Sequence, residues 1–352
     1  METKHLTADN TDEWWENYER VGKPGPYHRP DYLQLLAGNF EHDDEHAEAF
    51  VLQDGDEIIY YPYIRRSLKS VPFADGSETD LSKYDDIVSS WYYGGPFTSK
   101  DDNSLCEAFA EQFDNFCQSE NIVAEFVRFD PNERNYERFD CLEPKFNRET
   151  VPVDLTKDKE TLWDEFEKRN RNAIRQAQKT DLEVKPTESD NDYEAFYDIY
   201  TNAMDAKNAT DHYRFKYDFF CDMLETDLST LVVATYDDEV VGGAMVVHNE
   251  ELAHDYLRAS DPDYWDMRVN NLLCYGTLMQ MRATGKKMFD FQGGRPGVFK
   301  FKKSFSADRA EMYLGTSVHM PEVYNELTSE AERVGIDTDG GYFPEYRVEK
   351  SN

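Results

Sequence analysis

Residues 230–248 read TLVVATYDDEVVGGAMVVH, two valine-rich runs separated by the acidic pair Asp237 and Asp238. β-Branched runs around a two-residue polar break predict a β-hairpin, because such short loops join antiparallel strands when their residues tolerate left-handed backbone. Working outward, the periods alternate. Upstream, NDYEAFYDIYTNAMDAK (191–207) and YRFKYDFFCDMLE (213–225) repeat apolar residues at helical spacing. Downstream, LAHDYLRAS (252–260) predicts a strand, Asn271 to Arg282 a helix, and KKMFDFQGG (286–294) a closing strand.

The first half of the chain replays this order. PDYLQLLAG (30–38) predicts a helix with Pro30 in its first turn. AFVLQDGDEIIYYPYI (49–64) is a second hairpin, turning at Asp54 and Gly55, and IVSSWYYGGPF (87–97) is a strand ending at a double glycine. Leu105, Phe109, Phe113 and Phe116 then fall at helical spacing before the strand NIVAEFVRFD (121–130). Helix, hairpin, strand, helix, strand occurs twice, which predicts a structural duplication of about 150 residues per copy. The expected class is α/β, mixed α+β, with a central mixed sheet flanked by helices in each half. The expected boundaries are 1–150 and 151–330, with a tail over 331–352.

Charge separates habitat from function. The 352 residues include 72 acidic and 38 basic ones, a formal net charge of −34, yet 39% of the chain is hydrophobic and 14% aromatic. Enough apolar material for a core remains, so a folded chain with a dispersed acidic skin is expected. Such a skin repels itself in dilute buffer and is relieved by salt, which reads as adaptation to high salt. The five cysteines form no CxxC pair and the eight histidines have no ligand spacing, so no metal site is expected. No run approaches the roughly 20 apolar residues of a membrane span. The reading is a soluble, cytoplasmic protein of a halophilic organism. GxSxG, HExxH and GxxxxGK[ST] patterns do not occur, which weakens hydrolase, metalloprotease and P-loop readings.

Against that background two cationic clusters stand out. One is Lys168, Arg169, Arg171, Arg175 and Lys179, on a segment whose apolar residues Leu162, Phe166, Ala173, Ile174 and Ala177 predict a single amphipathic helix. The other is Arg295, Lys300, Lys302 and Lys303, just after Gly293 and Gly294. Guanidinium groups at this density suit oxyanions such as phosphate, and the glycines would let a ligand approach the backbone. Arg169, Arg171 and Arg175 are the candidates for gripping a diphosphate or a tRNA phosphate. Asp290 is a candidate to orient an amine or accept its proton, or else a turn cap. Asn270 and Asn271 read as helix caps.

LWDEFEKRNRNAIRQAQKTDLEV (162–184) and MFDFQGGRPGVFKFKKSFS (288–306) resemble the opening and closing motifs of the second domain of FemAB-type transferases, and YYGGPF (92–97) resembles a motif of their first half. The resemblance runs from about Tyr27 to Ser317. It implies two tandem GNAT-like domains and an N-acyltransferase, moving an acyl or aminoacyl group to an amine on a phosphate- or sugar-linked acceptor in cell-envelope or surface-glycan metabolism. It makes Phe301 and Lys302 the Phe-Lys pair, the lysine stabilising charge on the reacting carbonyl or a phosphate ester, with Lys303 as its fallback. It places Asn271 beside the acyl site, and Gly293, Gly294, Arg295 and Lys300 against the substrate. No tightly bound cofactor is implied. The donor is acetyl-CoA or an aminoacyl-tRNA, and the acceptor a small-molecule, lipid- or nucleotide-linked sugar. PDYWDMRVNNLL (262–273) lacks the glycines of a pyrophosphate loop, which argues against coenzyme A. The alternative is a non-enzymatic binding protein with a degenerate transferase fold that recognises a phosphorylated glycan or nucleic acid.

Overall fold

The computed structural model of the chain describes residues 1–39, 45–100, 103–210 and 213–348. The chain folds as two units, one of Met1–Asn147 with Met312–Asn352 and one of Arg148–Glu311.

The first unit begins with β1 (Glu2–Leu6), α1 (Thr11–Arg20), α2 (Pro30–Asn39), β2 (Glu45–Asp54), β3 (Glu57–Ser67), β4 (Asp85–Val88) and β5 (Phe97–Thr98). It continues through α3 (Asn103–Ser119) and β6 (Ile122–Arg128), and β7 (Lys145–Thr150) carries the chain across the boundary. The second unit holds β8 (Pro152–Asp154), α4 (Lys159–Glu165), α5 (Lys168–Ala177), β9 (Glu183–Thr187), α6 (Asp190–Ala206) and α7 (Tyr217–Glu225). These are followed by β10 (Ser229–Tyr236), β11 (Glu239–His248), β12 (Leu252–Ser260), α8 (Val269–Ala283), β13 (Met288–Asp290) and α9 (Pro296–Lys302). β14 (Ala310–Val318) and α10 (Pro321–Arg333) complete the chain.

Each unit is built on a hairpin and one parallel pair. In the first, β2 and β3 pair antiparallel, β4 runs parallel to β6, and α3 makes the crossover. In the second, β10 and β11 pair antiparallel, β12 runs parallel to β13, and α8 crosses over. A parallel pair needs a crossover of this length, which is why a helix separates its strands in each unit. The second sheet has the order β8-β13-β12-β11-β10-β9. Its hairpin turns at Asp237 and Asp238 with φ of 49° and 65°, left-handed values that aspartate tolerates better than most residues. The core of this unit gathers Val232, Ala244, Val246, Leu273, Leu278, Phe289 and Phe291. In the first unit the aromatic spacing of α3 seats Phe109 and Phe113 against Phe50, Tyr61 and Val127.

Three expectations are corrected. The second unit stops at Glu311 and not at residue 330, because the residues after it pair antiparallel with β6, Leu314 opposite Arg128 through Val318 opposite Ala124. The described part of the expected tail, 331–348, belongs to the first unit, and residues 349–352 lie outside the described ones. Tyr346 is fully buried there, and Arg347 donates through Nε to Asp86, a wholly buried carboxylate that also binds Arg66 at 2.8 Å. Finally, the segment 159–177 is two helices. Phe166 and Glu167 are extended (ψ 139° and 141°), and the Glu167 N–H donates to Ser304 O, which ends α4 and starts α5. The apolar stripe survives this break, since Leu162, Phe166, Ile174 and Ala177 are all buried.

The double glycine of the first unit serves packing. A Cβ on Gly94 would lie 2.5 Å from Ser89 Cβ, and one on Gly95 2.9 Å from Asn135 Nδ2. Neither position tolerates a side chain. The strand before them is shorter than expected, closing at Val88.

Candidate functional site

Two sites emerge in the second unit, one sealed and one open. The sealed one begins where the parallel ladder ends, at the pair His254–Asp290. Past that pair Asp255 and Arg258 lie on β12, and the Arg258 guanidinium donates to Asp255 Oδ1 from Nε (3.0 Å) and Nη2 (2.6 Å). Lys302, from the last turn of α9, donates its Nζ to the carbonyls of Phe291 and Gly293, the latter at 3.1 Å, and lies 3.8 Å from Asp255 Oδ2. Burial pushes the Lys302 ammonium below its ordinary pKa against the pull of Asp255, while Arg258 adds to the lowering. Burial also drives the neighbouring Cys274 thiol up to about 12. It is an inert core thiol.

Lys302 therefore ties down the loop that follows β13. Phe301, its partner in the motif, is half-buried against Phe305. Asp290 is 1% exposed, accepts the Gln292 N–H at 2.7 Å and lies 4.0 Å from His254, the geometry of a turn cap. A Cβ on Gly293 would lie 2.7 Å from Arg148 Cδ, and one on Gly294 would lie 3.0 Å from Val298. At both glycines a side chain would crowd the protein's own neighbours. Arg295 is the exposed residue before α9, and Lys303 begins the short turn after it.

The open site is a cleft of about 440 Å³ lined from α5 by Arg169, Asn170, Asn172, Ala173 and Gln176, from the start of α8 by Arg268 and Asn271, and from α9 and its end by Gly297, Lys300, Phe301 and Ser304. Its lining carries three cations and no carboxylate. Glu167, just outside, pairs with Arg169 Nε at 2.7 Å, and Arg169 Nη2 donates to Lys300 O. Arg268 donates only a long bond, 3.4 Å, to Gln176 Oε1, and neither it nor Lys300 makes an ion pair among the described residues. Arg268 takes a left-handed φ of 64° directly before α8. The cleft thus adds the positive end of a fifteen-residue helix to its cations.

The other two expected arginines are occupied elsewhere. Arg171 Nη1 donates to the carbonyls of Asp164 (2.7 Å) and Phe166 (2.8 Å), capping α4. Arg175 stacks over the Trp163 ring at 5.1 Å. Asn271 does line the cleft, bound to Asn170. Sequence reasoning missed Arg268, Asn170, Asn172 and Gln176. Arg268 had a signal, a cation immediately before a helix, in PDYWDMRVNNLL (262–273).

Residues 165–303 match the model of the acetyltransferase (GNAT) domain family. In three dimensions the chain resembles the crystal structure of FemX, with a TM-score of 0.66 at 13% identity, covering 92% of this chain and 99% of that one. The second unit thus carries a domain of the acetyltransferase (GNAT) family, and the likeness to FemX is one of fold. It also resembles the C-terminal domain of an Agrobacterium fabrum protein described as a lysylphosphatidylglycerol synthetase, with a TM-score of 0.54 at 12% identity, covering 87% of this chain and 92% of that one. No curated protein matches it in sequence. Among the described residues no group of three or more His, Cys, Asp or Glu could hold a metal, and no helix is long and apolar enough to cross a membrane.

Proposed function

We propose that the protein is an N-acyltransferase whose open cleft in the second unit binds the phosphate-bearing part of a substrate, presenting an acyl or aminoacyl group to an amine on a sugar- or phosphate-linked acceptor. The observation that carries this reading is the lining itself: Arg169, Arg268 and Lys300 without a carboxylate, in a chain of net charge −34. Acidic surface elsewhere repels an anion, so this cleft is where one is attracted. Transfer needs an uncharged amine held against a carbonyl, and positioning supplies much of the acceleration. Arg268 and Lys300 fix the anionic end. Lys302 fixes the Phe291–Gly293 loop from inside.

Coenzyme A and aminoacyl-tRNA both present phosphates, and the missing glycine loop leaves Arg268 to do what backbone N–H groups would otherwise do. The test is transfer to amino-sugar acceptors in molar KCl from acetyl-CoA in one arm and aminoacyl-tRNA in the other, followed by mass spectrometry. One arm is expected to give acylated product with turnover, reduced at least about tenfold in Arg268→Ala, the effect of losing one charged contact. Bound ligand recovered unchanged in both arms would indicate a binding module. Full activity of a folded Arg268→Ala, Lys300→Ala double variant would remove the cleft from the mechanism.

A further inference from the structure

The hydrogen-bond polarity of the open cleft specifies more than an anion. Ser304 O is a backbone carbonyl and can only accept; it takes the Asn170 Nδ2 at 3.2 Å as well as the Glu167 N–H at 2.9 Å. That fixes the otherwise ambiguous Asn170 amide, turning its Oδ1 to Asn271, which must then offer Nδ2, at 2.8 Å. Asn170 is 2% exposed, so its orientation is enforced by packing as well. Asn271 is left with its Oδ1 accepting no hydrogen bond from the described residues, on a residue that lines the cleft.

The other amide oxygens there are engaged by cations. Asn172 Oδ1 accepts from Arg175 Nη1 and Gln176 Oε1 from Arg268 Nε, each at 3.4 Å. The Ser304 hydroxyl donates to Phe301 O. A cleft whose cations supply only donors therefore retains one side-chain acceptor set by a fixed relay. A fully ionised phosphate offers that acceptor no donor, whereas a ligand with an O–H or N–H next to its phosphate would satisfy it.

Resting on the phosphate-cleft reading above, we propose that the cleft recognises a phosphate ester carrying a hydroxyl or amino donor beside the phosphate, with Asn271 Oδ1 reading that donor and Asn170 positioning it. The discriminating contact is the Asn170–Asn271 relay, while the cations contribute the part of affinity common to all phosphates.

The experiment is a phosphorus NMR titration of the full chain in molar KCl with three matched probes: ethyl phosphate, 2-hydroxyethyl phosphate and 2-aminoethyl phosphate. At least one of the latter two is expected to bind about tenfold more tightly than ethyl phosphate, the effect of one satisfied hydrogen bond. Which one does so separates a hydroxyl from an amine. That preference is expected to collapse to about one in Asn271→Ala and to fall in Asn170→Ala, which removes the partner that orients Asn271. Equal binding of all three probes, or a preference indifferent to Asn271→Ala, would overturn this inference while leaving the phosphate cleft standing. Failure of every probe to bind would overturn both.

Discussion

Lys302 shows how one residue type can be read two ways. A lysine in a Phe-Lys motif suggests a charge aimed at substrate, but its Nζ is directed at the carbonyls of Phe291 and Gly293. A buried ammonium is tolerated only when its donors are used, and these carbonyls with Asp255 use them. Lys302→Met keeps the apolar stem and removes the donors, depriving the buried carbonyl of Phe291 and the partly exposed one of Gly293 of that partner. Urea unfolding should show a loss of about 1–3 kcal/mol, the usual penalty for orphaned buried groups. Unchanged stability would mean that the ammonium serves only substrate. Arg169, Asn271, Lys300 and Phe301 were named as candidates in the sequence through the cationic clusters and the resemblance, and three helices, α5, α8 and α9, bring them to one cleft. Arg171 and Arg175 were misleading, since helical spacing alone cannot reveal a break at Phe166 that turns Arg171 back onto α4.

At the scale of elements, close approach between helix and strand decides which substitutions the fold accepts. Gly276 lies inside α8, where helix propensity alone would favour alanine by about 1 kcal/mol. A Cβ there would meet Val184 Cγ1 of β9 at 2.4 Å, and overpacking costs about 1–3 kcal/mol. The clash should win, so Gly276→Ala is expected to lower the melting temperature; a rise would show that β9 yields freely. In the first unit His319, from the end of β14, reaches Asp114 of α3 at 2.8 Å and Glu125 of β6 at 3.2 Å. Burial disfavours the imidazolium, but Glu125 and then Asp114 outweigh it and raise its pKa above 6.5. A proton held more tightly in the folded state stabilises fully below the unfolded value of 6.5 and is lost as pH rises through the raised one. The stability advantage of the native chain over His319→Gln should therefore shrink as pH rises from about 6.5 through the raised pKa; an advantage that grows would contradict the pairing. Hairpins and crossovers were readable because their periods differ, whereas β13 and β4 proved shorter than read because their glycines continue in loops.

Over the whole molecule, a net charge of −34 and a cationic cleft pull in opposite directions with salt. Raising KCl from about 0.1 M to about 2 M shortens the screening length from about 10 Å to under 3 Å, which relieves self-repulsion and weakens exposed attractions alike. Thermal stability is expected to rise over that range, and a falling melting temperature would contradict salt adaptation. The duplicated architecture was legible from periodicity, and the return of the C-terminal segment to the first unit was not, because a strand's partner is not written in its own sequence. The FemX likeness at 13% identity fixes the fold and leaves the chemistry to the cleft. The most direct test is calorimetric titration of inorganic pyrophosphate into the full chain in molar KCl, alongside Arg268→Ala with Lys300→Ala and, separately, Arg175→Ala. One pyrophosphate per chain, lost in the double variant and kept in Arg175→Ala, is the expected result. Absence of binding, or binding that survives the double variant, would contradict the cleft as the place where this acyltransferase holds its substrate.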